Sequence, residues 1–330
     1  MAARRVLFIG GSGIISTSCV RRCVELGDEV AVLNRGRSST RSLPEEVESL
    51  VADATDAAAV REALGDREFD VVAQFRAFDP GHVRADVEQF TGRTGQYVFV
   101  SSASAYQKPP ARSPVTESTP LANPFWDYSR AKIACEQLLD TAYRDTGFPA
   151  TIVRPSHTYD HTLIPTTGGW TDVARMRAGK PVVVHGDGTT RWTLTHSDDF
   201  AVGFCGLLAH PQALGEAFTI TGDHAPTWNE IYTWLGRAAG VEPELVHVAS
   251  ETIAAVEPEL GPPLLGDKAH SMIFDCSKLR ALVPEFAPTI RYDRVAADQV
   301  AWFDAHPEAA ELDGELDALF DRLVAGVRAF

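Results

Sequence analysis

Tyr128 and Lys132 stand four residues apart in the stretch Tyr128-Ser-Arg-Ala-Lys132, inside a pattern of helical period. That spacing puts both side chains on one helix face, one turn apart. An ammonium beside a phenol favours the phenolate, because a nearby positive charge stabilises the charged form. The run Ser101-Ser102-Ala103-Ser104 offers hydroxyls to hold a substrate oxygen against that phenol. Such a group takes a proton from an alcohol, or gives one to a ketone, while a cofactor takes or gives the hydride. Tyr and Lys at this spacing also occur on ordinary exposed helices. The elements around them decide between the two readings.

Val6 to Ile9 is a short apolar run that suits a buried parallel strand. It enters Gly10-Gly11-Ser12-Gly13-Ile14-Ile15-Ser16, then a helical stretch to Leu26, then a second strand from Glu29 to Leu33. Strand, glycine turn, helix, strand is the dinucleotide-binding unit. Gly10 allows the tight turn, and Gly13 lets the backbone approach a pyrophosphate at the helix N-terminus, where Ile14 and Ile15 follow. Ser16 stands at the third small position. At the tip of the second strand, Asn34-Arg35-Gly36-Arg37-Ser38 has no carboxylate and two guanidinium groups. Arginine suits a ribose phosphate, so the tip favours NADP over NAD. The alternative keeps Arg35 and Arg37 as solvated charges, with Asn34 bonding the ribose of NAD.

A third strand ends at Asp53, next to Ala54. A fourth, Phe69 to Phe75, carries Gln74 and Phe75 near its end, and a fifth, Tyr97 to Val100, delivers Ser101 and Ser102. Strand ends at one edge of such a sheet converge on the ligand crevice. Gly10, Asn34, Asp53, Gln74 and Ser102 are therefore expected to face one cleft.

The chain has 330 residues, 45% of them hydrophobic, which suits one sizeable domain plus a smaller one. A formal net charge of -15 argues against non-specific nucleic-acid binding and against an anionic membrane surface. No run approaches transmembrane length. The five cysteines, an odd number without a CxxC pair, read as reduced thiols of a cytoplasmic protein. The ten histidines show no metal-ligand spacing, so no metal is expected.

Taken in order, several stretches make the chain resemble the extended short-chain dehydrogenase/reductase superfamily, the group of the NAD-dependent epimerases and dehydratases. They are Gly10-Gly11-Ser12-Gly13, Asp53, Ser101-Ser102-Ala103-Ser104-Ala105-Tyr106, Tyr128-Ser-Arg-Ala-Lys132, Arg154-Pro155-Ser156-His157-Thr158-Tyr159 and Thr195-His196-Ser197-Asp198-Asp199. The resemblance implies an α/β fold: a Rossmann-type doubly wound parallel sheet with a smaller C-terminal substrate-binding domain. Residues 1–160 and 191–222 would form the first part, and 161–190 and 223–330 the second. It implies Tyr128 as acid/base, with Lys132 binding the nicotinamide ribose and lowering the tyrosine pKa. Ser102 sits where the family keeps its catalytic hydroxyl. Asp53 would bond the adenine amine, and the stretch from Arg154, with Pro155 and His157, would line the nicotinamide pocket. Ser104, Tyr159, Asp160 and Trp192 are the expected substrate contacts. A homodimer is implied by resemblance alone.

The departures bear on substrate. Asp160 stands where the family usually has glycine. Gln74-Phe75-Arg76 replaces the usual small residue after the fourth strand and should reshape the cleft. Relatives that act on nucleotide sugars carry an arginine where this chain has Trp192, with Arg191 one residue early. In a strand that shift points the side chain to the opposite face. Residues 257–267, rich in Pro, Gly and acids, read as a mobile loop over the site. The expected function is hydride transfer to or from a secondary alcohol or ketone of a small carbohydrate-like or natural-product substrate. The alternatives are a sugar or nucleotide-sugar epimerase/dehydratase with tightly bound NAD, and a non-catalytic nucleotide-sensing or RNA-binding relative.

Overall fold

A computed structural model describes residues 3–36 and 41–329. Arg37, an expected cofactor contact, lies outside them. Short aliphatic runs make the strands β1 (Arg5–Ile9), β2 (Glu29–Asn34), β3 (Glu48–Val51), β4 (Phe69–Gln74), β5 (Thr94–Val100) and β6 (Ala150–Pro155). β7 (His157–Tyr159), β8 (Val182–His185), β9 (Leu194–His196), β10 (Ala217–Ile220) and β11 (Leu245–Val248) follow. The helices are α1 (Ile14–Glu25), α2 (Ala57–Leu64), α3 (Pro80–Phe90), α4 (Asp127–Thr146), α5 (Trp170–Arg177), α6 (Ser197–Leu207), α7 (Trp228–Ala238) and α8 (Ser250–Val256). The short α9 (Gly261–Pro263) and α10 (Ser277–Leu282) precede the terminal α11 (Tyr292–Ala305) and α12 (Gly314–Arg328).

Seven strands form one sheet in the order β10-β6-β5-β4-β1-β2-β3. All its pairings are parallel. This is the doubly wound Rossmann-type arrangement, with the order reversing between β1 and β4. Each strand feeds residues to both faces, because parallel sheets are covered on both sides. Val6, Phe8, Val32 and Val98 meet α1 and α6 on one face. Leu7, Ile9, Leu33 and Phe99 meet α2, α3 and α4 on the other. A separate core around Tyr159, Trp192, Trp228, Tyr232 and Tyr292 holds the C-terminal region together. There β8 and β11 pair in parallel.

The two regions interleave. Cys276, Leu279, Val283 and Phe286 pack with Phe204 against the sheet, so a segment within 223–330 helps to cover the dinucleotide-binding layer. All five cysteines are free and buried. Cys23 Sγ and Cys205 Sγ are 3.6 Å apart where α1 meets α6. Residues 257–267 are not a free loop. They form helical turns over Pro258–Leu260, α9 and a π-helical turn, Leu264–Lys268. Asn123 Nδ2 donates to Gly266 O (2.7 Å), and Trp228 Nε1 and His185 Nε2 bond Lys268 O at 3.2 and 3.1 Å.

Candidate active site

The glycine turn positions the first half of the site. Gly10 has φ of +88°, a value that favours glycine, and a Cβ there would meet the Arg76 side chain. A Cβ on Gly11 would collide with Val32, so glycine lets the turn lie close on β2. Ser16 does more than stay small. Its Oγ accepts from Gly13 N–H (2.8 Å) and donates to Gly10 O (2.8 Å), clipping the turn shut. Ile14 and Ile15 open α1, so their N–H groups have no acceptor within the helix. Neither lines the cavity beside the turn.

A cavity of about 350 Å³ lies against this turn, lined among others by Gly10, Gly13, Asn34, Arg35, Asp53 and Ala54. Each of these was expected from sequence. Asn34 Oδ1 accepts from Gly36 N–H at 2.7 Å, which folds the tip of β2 and leaves the Asn34 amide N–H₂ toward a ligand. Asp53 accepts from the Thr55 N–H and hydroxyl, and these bonds hold its carboxyl below the usual range, keeping it an acceptor. A turn of backbone N–H groups, a carboxylate and arginine fit a dinucleotide.

Two expected members are elsewhere. Gln74 is 1% exposed; it donates to Asp86 (2.7 Å) and accepts from Arg76 N–H (2.6 Å). Phe75 stacks between Phe8 (5.9 Å) and Phe204 (5.3 Å) on the α6 face. Strand alternation turned each into one of the two helix layers. Arg76, the next residue, lines the cavity instead.

A second cavity, of about 230 Å³, holds Ser102 and Tyr128, while Lys132 lies outside its lining. Ser104 and Trp192 line it too, and so do Pro155 and His157, the residues expected at the nicotinamide. Three hydroxyls form a chain: Ser129 Oγ donates to Ser104 Oγ (2.7 Å), which lies 2.9 Å from Ser102 Oγ. Ser102 Oγ also accepts from Ser104 N–H (3.1 Å), and either hydroxyl of the 2.9 Å pair can donate. The Ser102 hydroxyl also reaches the Tyr128 phenol, which places it to bond a substrate oxygen. Ser129 was not singled out from sequence, and its place beside Tyr128 was the only signal available.

Burial pushes the Tyr128 phenol above its ordinary pKa, and the Ser102 hydroxyl opposes that shift. Lys132 does not reverse it here. Its Nζ donates to Ala77 O and Val100 O, both at 2.8 Å, and sits 5.8 Å from the Tyr128 ring centre. One of its three donors is left over. Burial pulls its pKa down to about 8. A buried Arg154–Glu136 pair (2.5 Å) locks α4 onto β6 and so fixes the height of Tyr128. Arg154 is thus positioned behind the pocket.

Two expected substrate contacts do not reach this cavity. Tyr159 packs edge-on to Tyr292 (5.4 Å) and His196 (5.2 Å) in the core. Asp160 pairs with Arg41 (2.6 Å) and accepts from Thr162 N–H (2.8 Å), tying the segment after β2 to the loop after β7. Both residues bear structure instead of substrate. Trp192 stacks on Trp228 at 5.5 Å, while Arg191 points out and bonds Ala225 O (3.0 Å). The one-residue shift does place these two side chains on opposite faces.

The model of the NAD dependent epimerase/dehydratase family matches residues 6–221. The chain belongs to that family. It is an enzyme built for a nicotinamide dinucleotide. Among similar members is a 2'-dehydrokanamycin reductase from Streptomyces kanamyceticus, 29% identical over 97% of this chain and 91% of that one. Another similar protein is the chloroplast stem-loop binding protein of 41 kDa b from Arabidopsis thaliana, 27% identical over 74% of this chain and 66% of that one. An epimerase from Methanothermobacter thermautotrophicus has the same fold, with a TM-score of 0.77 at 16% identity, covering 93% of this chain and 94% of that one.

Proposed function

We propose that this family member moves a hydride between NAD(P) and a secondary alcohol or ketone of a small carbohydrate-like substrate, with Tyr128 as the acid/base. The hydroxyl chain Ser129–Ser104–Ser102 beside a buried Tyr–Lys pair carries the reading. When bound, the nicotinamide supplies or accepts the hydride. In the reductive direction the Ser102 proton holds the substrate carbonyl oxygen, and Tyr128 gives that oxygen its proton. In the oxidative direction Tyr128 acts as the phenolate, after giving up its own proton, and takes the hydroxyl proton as the C–H bond yields its electron pair. Lys132, with one donor unused, would hold the nicotinamide ribose. The similarity to 2'-dehydrokanamycin reductase supports net reduction of a sugar ketone. Arg35 at the tip of β2 supports NADP. The same reading carries the homodimer and the cytoplasmic location. No helix among the described residues is long and apolar enough to cross a membrane.

Tyr128→Phe is expected to lower turnover on the order of a hundred- to ten-thousand-fold while dinucleotide affinity stays nearly unchanged. Full activity in that variant would remove Tyr128 from the mechanism. Dinucleotide that stays with the purified protein and does not exchange would instead favour epimerisation.

A further inference from the structure

The cavity beside Tyr128 has more hydrogen-bond donors than its walls can use. Lys268, the last residue of the π-helical turn, lines it. Among the described residues its ammonium meets no carboxylate within ion-pair distance and no hydrogen-bond acceptor. The adjacent Asp267 is taken by Lys108, 3.1 Å away with a wholly buried side chain. Asp267 also favours the charged form of Lys268 while burial opposes it, so two lysines of this wall share one carboxylate. The imidazoles add no positive charge. Burial, then the charge of Lys268, holds His157 neutral, with a pKa of about 3. Burial likewise lowers His185 to about 4. Trp192 is 3% exposed, and its indole N–H has no acceptor. The Ser102 hydroxyl, shared with Ser104 and the Tyr128 phenol, is the third polar group of the wall.

An ammonium or N–H taken from water without a partner costs free energy, and a charged group costs most. Lys268 has little freedom to leave, because its carbonyl is held by His185 and Trp228 and the preceding Gly266 by Asn123. π-helical turns are frequent at functional sites. Lys268 is half-buried, so water reaches its ammonium until a ligand fills the cavity, and that ligand must then supply the acceptors. At about 230 Å³ the cavity is smaller than the roughly 300–1,000 Å³ of ordinary ligand pockets, which suits a single sugar ring.

We propose that the substrate carries a carboxylate paired with Lys268, making it an acidic monosaccharide or polyhydroxy acid. Trp192 N–H serves an oxygen of the same ring. An amino sugar would set a second cation against Lys268 and is disfavoured, so the likeness to 2'-dehydrokanamycin reductase bears on the reaction and not on the charge of the substrate. The inference rests on reading this cavity as the substrate pocket.

The test is calorimetric binding of D-glucuronate and D-galacturonate to the cofactor-loaded enzyme, against D-glucose, D-galactose and D-galactosamine. Each uronate should bind about tenfold or more tighter than its matching hexose. Lys268→Met should bring the two to within about threefold, and Lys268→Arg should keep the preference. Equal or tighter binding of the hexoses or the hexosamine overturns the proposal. So does a uronate preference that survives Lys268→Met, or no uronate binding at roughly 10 mM. The wild-type comparison stands even if the Met variant does not fold. If Lys268→Met weakened only the dinucleotide, Lys268 would be a cofactor residue and the proposal would fall. Binding heat does not depend on hydride transfer. A Tyr128→Phe enzyme with full turnover would sink the acid/base reading and leave this inference standing.

Discussion

Arg35 and Arg76 line one cavity from different sides, and their positions separate their tasks. Arg35 sits at the tip of β2, where a ribose phosphate would lie. The stem of Arg76 lies against Gly10, on the pyrophosphate side of the turn. Arg35→Ala is expected to weaken NADP binding about ten- to a hundredfold and to leave NAD nearly unaffected, by the loss of one charge-assisted bond. Arg76→Ala should weaken both dinucleotides alike. Titrating each variant with both cofactors checks the pair of claims, and a loss of NAD binding in Arg35→Ala would contradict the phosphate assignment. At this scale the sequence showed Tyr128, Lys132 and Ser102, because their spacing is local. It did not show Ser129 or Lys268. Their roles exist only once α4 packs on the turn after β5 and a segment far along the chain folds over both.

The sheet and its first helix were the most legible elements, since a glycine turn between two apolar runs has few other uses. The segment at 257–268 was misread for a physical reason. Its Pro, Gly and acidic residues lack any helical period. What orders it comes from elsewhere: Asn123, Lys108, His185 and Trp228 each hold it by one bond or ion pair. Ser16 shows the same limit on a smaller span. Its small size was evident, but its clip between Gly13 N–H and Gly10 O was not. Ser16→Ala and Ser16→Gly both delete that clip. Each is expected to cost about 1–2 kcal/mol in urea unfolding. Wild-type stability in Ser16→Gly would show that only size matters there.

Over the whole molecule, a fully buried carboxyl couples folding to pH. Asp172 accepts from Gly168 N–H at 3.0 Å, while its Oδ1 has no partner. Burial raises its pKa from 3.8 to about 7. Between those values the folded chain keeps a proton that the unfolded chain releases. The stability cost is therefore absent below about pH 4, grows as pH rises and is complete above about pH 7. Asp172→Asn removes that titration. Relative to wild type, the variant should gain on the order of 1–3 kcal/mol between pH 4 and pH 7, followed by chemical denaturation at each pH. A difference that stays flat with pH would rule out the raised pKa.

The five buried thiols have a consequence for handling this protein. Cys19 and Cys23 on α1 face Cys205 on α6, shut away from solvent. A thiol reagent meets them only in moments when the two helices part. Labelling therefore keeps time, marking how often the helix that begins at the glycine turn lets go of its neighbour. The clock runs without substrate or turnover.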